Sequence, residues 1–107
     1  MDKAEARRVL GDEVRRLRAL SYGELSARIA SRPRPHGVRF ADAPEVETRE
    51  VAAESGTTYQ LENQVVWDDQ AGGDVRVLVA VDDGGLSAFK PLTDDFILAP
   101  DGSFVGE

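Results

Sequence analysis

The hydrophobic period of this chain changes once, and that change decides what it can fold into. From Lys3 to about Ala30 the apolar residues recur at helical spacing, whereas from Glu45 onward they alternate. A helix gathers positions three and four apart onto one face, and a strand gathers every second position. The order of the two periods therefore predicts helices first and a sheet second. Between them stands SRPRPHGVRFADAP (31–44), whose Pro33, Pro35 and Pro44 forbid a continuing helix and favour extended backbone. Val38 and Phe40 are the residues by which this linker would anchor to the core. A chain of 107 residues is one domain by length. The expected fold is a single α+β domain: a helical segment 3–30, a Pro-rich linker 31–44, and an antiparallel sheet with its tail over 45–107. The two N-terminal helices pack on one face of a meander of four or five strands.

In the helical segment Ala6, Leu10, Val14 and Leu17 share one face of a helix over 3–20, and Gly11 weakens that helix by about 1 kcal/mol without breaking it. Asp12 and Arg16, four apart, form its one expected exposed ion pair. Ser21-Tyr22-Gly23-Glu24 reads as a capping box, so a second helix starts at Tyr22, runs to Ala30 and buries Leu25 and Ile29 with Tyr22 beside them.

In the sheet, strands are expected at 46–53 and 58–67, joined by a two-residue turn at Ser55-Gly56 that would place Arg49 opposite Glu62. The second strand turns Tyr59, Leu61, Val65 and Trp67 one way and Gln60, Glu62 and Gln64 the other. Asn63 interrupts the apolar face and, if buried, needs hydrogen-bond partners. The third strand, 74–82, is the densest apolar run: Val75, Val77, Val79 and Val81 form one face, with Arg76, Leu78 and Ala80 on the other. Asp82-Asp83-Gly84-Gly85 is a hairpin turn into a fourth strand, Leu86–Lys90, which Pro91 ends or confines to an edge. In the tail, Thr93-Asp94-Asp95 begins a helical turn or residues 96–99 form a fifth strand. Val66, Leu78 and Phe89 fall on the second face of the sheet, to be covered by the tail or by another molecule.

Composition removes several functions. The chain has no cysteine, which excludes disulfides, Cys–zinc sites and thiol catalysis and suits a reducing compartment. Its first twenty residues are too charged for a signal peptide, and no stretch approaches the roughly 18 apolar residues of a membrane span. A cytoplasmic protein without membrane contact is expected. Asp68-Asp69, Asp82-Asp83 and Asp94-Asp95 lack the spacing of a calcium loop and read as solvated turns, so no metal is expected. A paired-carboxylate site built from Asp82 and Asp94 has nothing in the sequence to support it. His36, the one histidine, lies in the linker, and no serine sits in a nucleophile-elbow context. Gly72-Gly73 and Gly84-Gly85 open no helix and match no phosphate loop. No catalytic residue and no cofactor are predicted.

The formal net charge of −7 hides a split. Residues 1–44 carry ten Lys/Arg against six Asp/Glu, a net of +4, while residues 45–107 carry three against fourteen, a net of −11. Either the halves neutralise one another or one of them faces a partner. The expected function is a non-enzymatic protein-interaction domain of unassigned role, self-associating or binding a protein partner. It would use the acidic sheet or its partly apolar second face, with Val66, Leu78 and Phe89 as contacts and Trp67 as core or as a rim anchor. The alternative is weak nucleic-acid contact through the arginines of the helical segment, Arg8, Arg15, Arg18 and Arg28, although interleaved aromatics are lacking.

The spacing of WDD (67–69), GGDVRV (72–77), VDDGG (81–85) and DGSFVGE (101–107) resembles that of small uncharacterised bacterial α+β proteins of unknown function, over residues 57–107. That resemblance implies no activity and transfers no functional residue.

Overall fold

The computed structural model describes residues 2–30, 46–85 and 91–107. Helix α1 spans Lys3–Arg18 and helix α2 Tyr22–Ala30; strands β1 (Glu47–Ala52), β2 (Thr58–Trp67), β3 (Val75–Asp82) and β4 (Leu92–Leu98) follow. The strands form one antiparallel sheet in the order β1-β2-β3-β4, with both helices packed on the same face. The fold is the predicted α+β arrangement with four strands.

The helices begin where their caps place them. Asp2 accepts the Glu5 amide at 3.1 Å to start α1. At α2 the capping box is complete: the Glu24 amide donates to Ser21 Oγ at 3.0 Å, and the Ser21 amide donates to Glu24 Oε1 at 3.2 Å. Ala6, Leu10, Val14 and Leu17 of α1 and Leu25 of α2 are buried against Val75, Val77, Val79 and Val81 of β3, with Tyr59, Leu61 and Val65 of β2. The Tyr22 hydroxyl donates to the Gly73 carbonyl at 2.7 Å, fastening the start of α2 to the β2–β3 loop.

Two expectations are corrected. The β1–β2 turn has three residues, not two. The Ala53 amide donates to the Thr57 carbonyl and the Gly56 amide to the Ala53 carbonyl, each at 2.9 Å, and Gly56 takes φ +90°, which a residue with a Cβ rarely adopts. Arg49 consequently lies opposite Leu61, and Thr48 opposite Glu62. A one-residue change of register sends every side chain of a strand to the other face. Here it carries Val51 and Arg49 to the helix side, where Val51 packs against the core. The second correction concerns the fourth strand. Residues 86–90 lie outside the described residues, and the strand beside β3 is Leu92–Leu98, with Val77 opposite Phe96 and Val75 opposite Leu98. The run 93–95 is strand rather than a helical turn, because alternation sends Phe96 and Leu98 into the core while Asp95 stays on the outer side. Pro91 stands just before this strand, where its missing N–H costs no ladder bond.

The tail supplies the further strand: the run expected at 96–99 lies largely within β4, and Phe104 beyond it packs on the helix side. The Ala99 amide donates to the Ser103 carbonyl and the Gly102 amide to the Ala99 carbonyl, repeating the bonding of the β1–β2 turn, with Gly102 at φ +90°. Phe104 then bridges Leu98 and meets Phe96 edge to face at 5.8 Å, on the helix side. Arg18 stacks 3.9 Å from the Phe104 ring and forks onto Glu107 at 2.6 and 2.8 Å.

Candidate functional site

With both helices and Phe104 on one side, no element among the described residues is stacked on the other side of the sheet. Register places its residues in rows. Val66, Arg76 and Ile97 lie side by side across β2, β3 and β4; Gln64, Leu78 and Asp95 form the next row; Glu62, Ala80 and Thr93 the third. Val66, Leu78, Ala80 and Ile97 are half-buried, Gln64 is buried, and Val105 of the tail, whose amide donates to the Ile97 carbonyl, is 43% exposed. A concavity of about 400 Å³ crosses the sheet between the start of β1 and β4, lined by Val46, Glu62, Gln64, Leu78, Ala80 and Thr93 among others.

The charges on this face are mostly acidic. Arg76 is held between Asp68 at 2.9 Å and Asp95 at 2.7 Å, and these two carboxylates raise its already high pKa further. Glu50 and Glu62, exposed on β1 and β2, have no ion-pair partner among the described residues. Asp82 Oδ1 accepts the Gly84 amide at 2.8 Å.

Of the predicted interface residues, Val66 and Leu78 are diagonal neighbours on this face. Trp67 turns the other way and packs, partly buried, against the core. Phe89 lies outside the described residues, as does His36. The predicted nucleic-acid arginines are dispersed. Arg15 pairs with Asp12, Arg18 with Glu107, and Arg28 approaches Glu47 at 3.3 Å; Arg8 is exposed on α1 and has no carboxylate partner among the described residues. The expected Asp12–Arg16 pair is not formed, since Arg16 turns inward to Glu13. Among the described residues no group of three or more His, Asp or Glu side chains gathers to hold a metal. Asp82 and Asp94 are on opposite faces of the sheet, as the pairings Leu61 with Val81 and Val79 with Asp94 require.

Two carboxylates that the sequence reading passed over lie in the helix–sheet interface. Glu5 accepts from Ser55 Oγ at 2.7 Å and from the Tyr59 hydroxyl at 2.9 Å, and these bonds hold its carboxyl below the ordinary glutamate value. Burial, helped by the same Glu5 carboxylate, pushes the Tyr59 phenol up to about 12. Glu13, with a fully buried side chain, accepts from Arg16 at 2.7 and 3.2 Å and from Asn63 Nδ2 at 3.3 Å, and lies 3.3 Å from Arg49 Nε. Burial alone would raise its pKa; the Arg16 hydrogen bonds and the charges of Arg16 and Arg49 outweigh that and leave it lowered. The one clue in the sequence was Asn63, whose need for partners Glu13 meets. Both glutamates serve the fold, fastening α1 to the β1–β2 hairpin.

Among the described residues no helix is long and apolar enough to cross a membrane. Comparison of the chain with protein-family models, with curated proteins and with solved structures returns no match.

Proposed function

We propose that this is a non-enzymatic protein-interaction domain that docks a protein partner on the second face of its sheet. The observation that supports the reading is the sidedness of the fold. Both helices, Phe104 and the networks of Glu5 and Glu13 are on one side, while the half-buried Val66, Leu78 and Ile97 line the other, where among the described residues no element is stacked. Two-layer domains bury one face of a sheet, and an apolar patch left on the outer face is the usual mark of a contact surface. The reading assigns no chemistry: the buried carboxylates Glu5 and Glu13 are engaged by the chain's own hydroxyl, amide and guanidinium groups. A cysteine-free chain suits a cytoplasmic setting. Nucleic-acid contact is the weaker reading, because three of its four arginines are drawn into internal ion pairs.

A photo-crosslinking residue placed at position 78 in the expressed full chain tests the reading. Crosslinks to a protein are expected from 78 and not from 69, an exposed turn position. Equal labelling from both positions, or none from either, would sink it.

A further inference from the structure

We infer that the partner bears the opposite charge: a protein segment that sets an apolar side chain into the concavity beside Leu78 and lays Lys or Arg against Glu50 and Glu62. This rests on the docking reading above. The first support is which charges are already neutralised. On the helix side of the sheet Arg16 and Arg28 meet Glu47 and Arg18 meets Glu107, so the charges of these arginines are already neutralised there. Glu50 and Glu62 keep theirs, and Arg76, the one cation of this face among the described residues, is held by two aspartates. The second support is symmetry. Two copies meeting face to face about a two-fold axis would oppose acidic face to acidic face, and like charges in a contact disfavour association. The third is layout, since an apolar floor with a charged rim is how protein contacts are built.

The probe is a fluorescein-labelled peptide of alternating lysine and leucine, with a glutamate–leucine peptide as its counterpart, titrated by anisotropy against the full chain. The lysine peptide binds in a salt-sensitive manner and the glutamate peptide does not. Glu50→Gln with Glu62→Gln weakens binding about tenfold, roughly threefold per charge removed. Glu54→Gln with Asp69→Asn removes the same charge from two turns and weakens it less than twofold. These exchanges keep side-chain size at exposed positions, so folding is retained and is checked by circular dichroism. Equal loss in the two double variants overturns the inference, because the attraction would then be general. Crosslinks from position 78 that reach only a second copy, or a protein whose capture ignores the Glu50 and Glu62 exchanges, overturn it while leaving the docking reading intact. Absence of both peptide binding and crosslinks takes the two readings down together.

Discussion

Replacing Glu13 by alanine is the sharpest test of how this fold is held. Its carboxylate joins one helix to two strands, and the cost of removing it can be worked out partner by partner. Arg16 and Arg49 have side chains 38% and 45% exposed, so water takes up much of what they lose and each pair accounts for at most about 1 kcal/mol. Asn63 is 3% exposed, and leaving its amide without an acceptor costs about 1–3 kcal/mol. The methylenes removed add about 1 kcal/mol. Glu13→Ala should thus destabilise by about 3 kcal/mol, a fall in melting temperature of roughly 12–24 °C for a domain of this size. Urea unfolding followed by the fluorescence of Trp67, the sole tryptophan, reads it directly. Asp12→Ala, one position away with a side chain 71% exposed, should cost under about 0.5 kcal/mol. A double exchange, Glu13→Leu with Asn63→Leu, should recover more than about 1 kcal/mol relative to Glu13→Leu alone, since no buried amide is then orphaned. The pH dependence follows from the same bonds. The folded pKa of Glu13 is below 4.5, so its contribution is present above pH 4.5 and is lost as the pH falls through the folded value. Glu13→Gln should flatten that acid limb. If Glu13→Ala and Asp12→Ala unfold at the same urea concentration, the network is not holding the fold and the reasoning fails.

Two more expectations concern the ends of α1. Tyr59 titrates at about 12 in the folded chain against 10.0 ordinarily, so the fold favours its protonated form; that stability is complete below pH 10 and is lost as the pH rises through 12. Tyr59→Phe should flatten the alkaline limb, and parallel losses in the two proteins between pH 10 and 12 would contradict the assignment. At the other end, Phe104→Ala removes a half-buried ring and the surface on which Arg18 stacks, at a cost of about 1–2 kcal/mol. Hydrogen exchange should speed up at the Ala99, Gly102 and Val105 amides and hold steady in β2 and β3; uniform acceleration would show that the tail is not an independent clasp.

The proposed docking face was only partly legible in the sequence. Val66 and Leu78 were identifiable because alternation on β2 and β3 leaves apolar residues on the side opposite the valine stripe. Glu50 was not, because its side of the sheet depends on whether the turn that follows it holds two residues or three, and Ser55-Gly56 fits both. The pairing of Arg28 with Glu47 and of Arg18 with Glu107 was hidden for a different reason. Ion pairs between residues 19 and 89 apart depend on where a helix lies across a sheet, which no local pattern encodes.

The amino-acid sequence by itself determined the local order: a helix from Lys3, a second started by the capping box at Ser21, a valine-faced central strand, and one change of period separating the helices from the sheet. These follow from short-range physics, from side chains bonding backbone groups within a turn and from apolar residues spaced to share a face. Only the tertiary structure decided the rest. The three-residue turn prevailed because it turns Val51 into the core and brings Arg49 to the buried carboxylate of Glu13, a contact between residues 36 positions apart. Leu92–Leu98 became the fourth strand because Phe96 and Leu98 complete the same core. Once those choices put β1 in register, Glu50 and Glu62 were left on the face that the helices do not cover.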